Sequence, residues 1–216
     1  MPAGPCRHGR DDFSGCRLVS ATDALLRELN HRVNNNFQIV VSLMNLKKRV
    51  LPVERQDDIR FIEEHVQSMA VAYRLIFARG AILEVPAAEL VADVVLGLRL
   101  IAKLPSEAMS LDLAIIGYML NLDQAIAVAL YFAAVLPPVL DHAKATGTKV
   151  SIVVSRLSDI LTFSIAGEVA RYAVSDPLRD RLVQAYVSQL GATKDQSSNP
   201  GEHRVSFPAT QIADAC

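Results

Sequence analysis

Helical periodicity over the first third of the chain constrains the fold more than any other feature. Apolar residues recur at steps of three and four along two stretches, and Pro52 interrupts them once. The first stretch contains Leu26, Leu29, Val33, Phe37, Val40, Met44, Leu46 and Val50, and the second contains Ile59, Ile62, Val66, Met69, Ala70, Tyr73, Leu75 and Ile76. Two long helices with so short a connection should form an antiparallel hairpin, and two such helices need a second copy to close a four-helix bundle.

After Gly80 the pattern changes to alternating strands and helices. Strands are predicted at "AILEVP", "AMSLDLAII", "KVSIVVSR", "DILTFSIAG" and "HRVSFPA", and helices over 86–104, 122–145 and 176–191. This order favours helices on one face of a largely antiparallel sheet. The predicted class is therefore α+β, with a flexible leader over 1–19, the helical hairpin over 20–80 and an α/β sandwich over 81–216.

Composition excludes several classes of function. The net charge is −1, so nothing favours nucleic acid or an anionic membrane surface. The longest apolar run, Ala125–Leu136, is too short to span a bilayer and the N-terminus has no apolar signal segment. Cys6, Cys16 and Cys216 are an odd set near the termini, which argues against a disulfide framework. We expect a soluble cytoplasmic protein.

The stretch "ELNHRVNNNFQIV" (28–40) places a histidine among asparagines, which weaken a helix. His31 lies beside the apolar stripe, and the spacing puts Glu28 and Asn35 on its face. An imidazole can attack phosphorus, a neighbouring carboxylate can hold its tautomer, and Arg32 can attract a phosphoryl group. On spacing alone, a surface histidine with no chemical role remains the alternative.

The longer segment "LLRELNHRVNNNFQIVVSLMNLKKR" resembles the dimerisation and histidine-phosphotransfer domain of sensor histidine kinases. One subfamily has the acceptor motif Glu-x-x-His-Arg-x-x-Asn-Asn-x-Gln, which is matched by Glu28, His31, Arg32, Asn35, Asn36 and Gln38. "RFIEEHVQSMAVAYRLIF" is similar to the return helix of that subfamily. The resemblance implies that His31 is the phospho-acceptor. The geometry of a helix separately suggests that Glu28 orients His31 and that Arg32 and Asn35 contact a receiver or phosphoryl oxygens.

The second half is similar to the ATP-binding domain of these kinases, with key residues replaced. Aligned on His142-Ala143, the family's Mg²⁺- and phosphate-binding asparagines and glutamate fall on Ala133, Ala134 and Pro138, none of which can hold a metal. Where these kinases have the adenine-reading motif Asp-x-Gly-x-Gly, this chain has "AGEVA", which begins at Ala166. That stretch lacks the aspartate and the second glycine of the motif. The resemblance therefore implies a degenerate kinase domain with no ATP or metal of its own.

A histidine acceptor without ATP needs an aspartyl-phosphate donor. We therefore expect a phosphotransfer protein that relays phosphate through His31 between response-regulator receiver domains, with an upstream hybrid histidine kinase and with Mg²⁺ brought by the receiver. Two alternatives stay open: a non-catalytic pseudokinase scaffold that binds a receiver or kinase, and an active kinase with a divergent ATP site. A metal or small-molecule sensor lacks a supporting cluster, because His65, His142 and His203 are scattered.

Overall fold

The computed structural model describes residues 28, 32–33, 35–78, 84–115, 117–158, 160–166, 176–195 and 202–208. The predicted leader over 1–19 and all three cysteines lie outside these residues. Residues 28, 32–33 and 35–50 are helical and form helix α1. A 3-10 turn at Val53–Arg55 follows Pro52 and leads into helix α2, Gln56–Ala78.

The two helices run antiparallel, as the short connection predicts. The Phe37 ring lies 5.6 Å from the Tyr73 ring, whereas Lys48 Nζ donates to Glu63 Oε2 at 3.1 Å. A residue near the end of α1 therefore contacts a residue in the first half of α2, as expected of antiparallel helices. The described residues thus contain the predicted helical hairpin.

Helix α1 presents two apolar stripes, and only one of them faces the rest of the chain. Phe37, Val41 and Met44 are buried or half-buried. Outward-facing large apolar residues occupy the other side: Ile39, Val40, Leu43, Leu46 and Val50. The sequence predicted a single apolar stripe that includes Val40, Leu46 and Val50, whereas in the structure these three residues lie on the outward side and Met44 lies on the side that faces α2. Spacing alone does not say which side of a two-sided helix meets its neighbour.

The remainder alternates strands and helices largely as predicted. The elements are β1 Glu84–Pro86, α3 Ala87–Ala102, β2 Met109–Ala114, β3 Met119–Asn121, α4 Leu122–Thr146, β4 Val150–Leu157, β5 Ile160–Ala166, α5 Pro177–Gln189, β6 Thr193–Asp195 and β7 Glu202–Pro208. A further 3-10 turn spans Ser106–Ala108. The short strands β3 and β6 were not predicted, because three residues are too few to show an alternation, whereas β1 was predicted as the end of the longer apolar stretch "AILEVP".

The main sheet has the order β2-β4-β5-β7-β6. Strands β2 and β4 pair in parallel, whereas the other neighbours pair antiparallel. Strands β1 and β3 form a separate two-stranded sheet. The prediction of a largely antiparallel sheet is therefore confirmed.

The core lies between this sheet and the helices. Strand β4 alternates buried and half-buried residues from Val150, and the Phe163 ring of β5 contacts the rings of Phe132 and Phe207. Helix α4 begins with a reciprocal capping box between Asn121 and Gln124 and packs against α2, α3 and α5. It is long and apolar enough to cross a membrane, and 72% of its most apolar window is buried inside the chain.

Candidate functional site

The predicted acceptor His31 lies outside the described residues, but the structure places residues on both sides of it. Glu28 and Arg32 are helical and form an i,i+4 ion pair, with 2.5 Å between Arg32 Nη2 and Glu28 Oε1. Their side chains are 59% and 73% exposed, so both charged groups reach solvent. Such an exposed pair contributes about 1 kcal/mol or less, so either group can exchange its partner for another charged group.

Polar residues continue along α1 toward a groove between α1, α2 and α3. The groove has a volume of about 690 Å³. Asn35, Gln38 and Ser42 form one wall, and their spacing of three and four places them on one helical stripe. The other walls include Gln67, Val71 and Arg74 of α2, with Val94, Gly97, Leu98 and Ile101 of α3.

The contribution of α3 to this groove was not predicted. Arg74 donates to Asp93 at 2.8 Å, which connects α2 to α3 near the groove. Gly97 leaves open space where a larger side chain would stand. No local pattern marks these residues, because a surface glycine and an ordinary ion pair are common on any helix.

The positions aligned with the kinase ATP site lie on α4 and at the end of β5. Ala133 and Ala134 are buried, Pro138 is half-buried, and Ala166 pairs with Ser151 and Glu202 in the sheet. The segment that would carry the adenine-reading motif, 167–175, lies outside the described residues. In the part of the chain that the structure describes, no group of His, Cys, Asp or Glu could hold a metal ion.

A charged cluster lies next to these α4 positions. Glu64 of α2 is 1% exposed and pairs with Arg60 Nε at 2.9 Å and with Arg179 Nη2 of α5 at 3.4 Å. Arg60 Nη2 also donates to Asp141 Oδ1 of α4 at 2.7 Å. Burial raises the pKa of Glu64, although both arginines oppose that shift. Sequence analysis missed this cluster because Asp141 and Arg179 are far from Arg60 and Glu64 in the chain.

His65 is a second titratable group at this junction. Its Nδ1 lies 2.8 Å from the Phe61 carbonyl oxygen, so Nδ1 carries the proton, and Nε2 is buried with no hydrogen-bond partner among the residues that the structure describes. Burial lowers the pKa of His65, with a smaller contribution from the positive charge of Arg179. The described geometry is therefore that of a neutral structural histidine.

We expect this histidine to make stability depend on pH. Its pKa is lower in the folded chain than the unfolded value of about 6.5, so the unfolded state binds more protons as the pH falls below neutrality. The free energy of unfolding should fall from pH 7.5 to 5.5, by at most about 1.4 kcal/mol per pH unit from this group. Urea titrations of the parent and His65→Gln would measure it, and equal slopes in both proteins would contradict the assignment.

Comparison with known proteins agrees with this architecture. Residues 28–101 match the model of a family described as histidine kinase. The fold is similar to the histidine kinase domain of the Erythrobacter litoralis EL346 blue-light activated histidine kinase. That match has a TM-score of 0.58 and 17% identity, and it covers 89% of this chain and 94% of that domain.

A longer structure of the same Erythrobacter litoralis protein matches with a TM-score of 0.56 and 18% identity. That match covers 87% of this chain and 63% of the other, so this chain spans under two thirds of its length. No curated protein matches the sequence. Residues 28–101 thus carry the sequence signature of the histidine kinase family, and the described chain has the fold of a histidine kinase domain.

Proposed function

We propose that this chain is a histidine phosphotransfer protein, which relays a phosphoryl group between receiver-domain aspartates through His31 without using ATP. The observation that carries the proposal is the combination of a complete acceptor motif with altered ATP positions. All six motif residues from Glu28 to Gln38 are present, whereas alanine or proline stands at the aligned α4 positions. A chain that keeps the acceptor and lacks the ATP-binding side chains needs an external phosphoryl donor.

The chemistry is an in-line exchange at phosphorus. A neutral imidazole nitrogen of His31 forms the new P–N bond while the P–O bond to the receiver aspartate breaks, and the aspartate leaves as a carboxylate. The ring keeps its one proton on the other nitrogen and becomes positively charged, because its lone pair has formed the P–N bond, and the carboxylate of Glu28 can stabilise that charge. The reverse step transfers the phosphoryl group to a second receiver.

The receiver would supply Mg²⁺ and its own acidic pocket, so this chain needs mainly to position the imidazole. Exposed Arg32 is suited to attract phosphoryl oxygens, and exposed Asn35 can donate hydrogen bonds without adding negative charge. In the sequence, position 31 stands four residues before Asn35 and so continues the spacing of the polar groove wall. The partners we propose are response regulators and an upstream hybrid kinase, all in the cytoplasm.

The test is to offer the purified chain two labelled donors separately, Mg-ATP and a phosphorylated receiver. We expect label from the receiver and none from Mg-ATP. Label from Mg-ATP would instead support the active kinase. Binding of receivers with no label from any of them would support the pseudokinase scaffold.

The outward stripe on α1 supports a homodimer as part of this proposal. Leu43 is 60% exposed and stands between similarly exposed Ile39 and Leu46, an arrangement that a four-helix bundle with a second copy would bury.

Light scattering should give the parent twice the 23.5 kDa mass of one chain, and Leu43→Glu should give a single chain. Leu157→Glu is the matched control, because that leucine is 79% exposed at the far end of β4 and should leave the dimer intact. A parent that elutes at the mass of one chain would refute this part of the proposal.

A further inference from the structure

Two adjacent prolines inside α4 remove two helix hydrogen bonds. In an α-helix, the N–H of each residue donates to the carbonyl four residues earlier, and proline has no N–H. Pro137 and Pro138 therefore leave the carbonyls of Ala133 and Ala134 without their helical donors. Ala133 and Ala134 are 0% and 2% exposed, so solvent cannot readily replace those donors.

A guanidinium from another helix donates to both carbonyls. Nη1 of Arg179 lies 3.4 Å from the Ala133 oxygen and 3.3 Å from the Ala134 oxygen. One arginine of α5 thus stands where two backbone amides of α4 would otherwise donate. Arginine suits this position because its several N–H groups point in fixed directions from one plane.

The same guanidinium also holds α2. Its Nη2 donates to Glu64 Oε2 at 3.4 Å, and its Cζ lies 4.7 Å from the centre of the Phe61 ring. Glu64 is bound in turn by Arg60, which reaches back to Asp141 on α4. The chain of contacts therefore starts on α4, passes through α5 and α2, and returns to α4.

We propose that Arg179 links α5 to α4 and α2, and that the two prolines of α4 make this link necessary. It replaces the missing donors of α4 and thereby fixes the return helix α2 against α4 and α5, so that these helices open and unfold together. A buried ion pair alone is weak evidence for such a role, since desolvation offsets much of its attraction. Here Arg179 also donates to two buried carbonyls that have lost their helical donors, a need that an ordinary ion pair does not meet.

The decisive experiment compares Arg179→Leu in two backgrounds, the parent and the Pro137→Ala/Pro138→Ala variant. In the parent we expect the unfolding equilibrium constant to rise roughly 10- to 100-fold, because two buried acceptors and a carboxylate lose a charged donor. In the alanine background, the restored backbone amides satisfy the carbonyls. The same substitution should therefore raise the unfolding equilibrium constant by a several-fold smaller factor. An equal rise of the unfolding equilibrium constant in both backgrounds would overturn the proposal that the prolines create the need for Arg179.

Arg181→Leu is the matched control, because Arg181 is exposed on the same helix, and it should have little effect in either background. Hydrogen exchange provides a second readout, which can be measured without determining the unfolding equilibrium constant. In Arg179→Leu, amide exchange should accelerate in the first half of α2 as well as in α5. Acceleration of exchange confined to α5 would contradict the proposal that Arg179 also holds α2 in place. Neither readout depends on phosphotransfer, so this inference and the proposed function can fail separately.

Discussion

Replacement of His31 by alanine is expected to abolish labelling by a phosphorylated receiver while receiver binding persists. The imidazole is the only group in the acceptor motif that can form the proposed P–N bond, because asparagine amides and a guanidinium are poor nucleophiles. Alanine is favourable in helices, and the described residues on either side of position 31 are helical, so the fold should not suffer. Label on the parent should be lost in acid and kept in alkali, as expected of a phosphoimidazole.

His142→Ala is the matched control for this experiment. His142 is a half-buried histidine of α4, and its removal should leave the labelling unchanged. Persistent label on His31→Ala would mean that another residue accepts phosphate, and the acceptor assignment would then be wrong. Circular dichroism and the molar mass of both variants would establish that any loss is chemical.

The largest loss of stability is expected from Phe163→Ala. Phe163 is fully buried, and its ring centre lies 5.1 Å from those of Phe132 and Phe207 and 6.2 Å from that of Tyr131. The substitution leaves a cavity between the sheet and α4, which typically costs about 3–5 kcal/mol. Urea unfolding followed by circular dichroism would measure the difference in the free energy of unfolding.

Leu157→Ala provides the comparison on the neighbouring strand. This leucine is exposed at the end of β4, so its truncation should change the free energy of unfolding by less than about 0.5 kcal/mol. A loss below about 1 kcal/mol for Phe163→Ala would contradict the packing described for this core.

The helices and most strands could be predicted because their signals are local. The steps of three and four that end at Pro52, and the alternation along 150–157, depend only on the geometry of one element. The acceptor motif is also local, since all its residues lie between Glu28 and Gln38 in the sequence. These features need no knowledge of what packs against them.

Other features depend on which distant residues meet. Whether Leu46 faces the chain or the solvent follows from the side of α1 that α2 covers, and both sides are apolar. The groove wall on α3 follows from how that helix packs across the hairpin. Spacing within one helix contains no information about such an arrangement.

The α4 prolines separate the two kinds of information clearly. The loss of the helical donors of Ala133 and Ala134 follows from the sequence, because proline has no N–H wherever it stands. The replacement of those donors by Arg179, which also binds Glu64, 115 residues earlier in the chain, follows only from how the helices pack. Covalent structure creates a local hydrogen-bonding deficit, whereas the packing of distant helices determines which side chain can satisfy it.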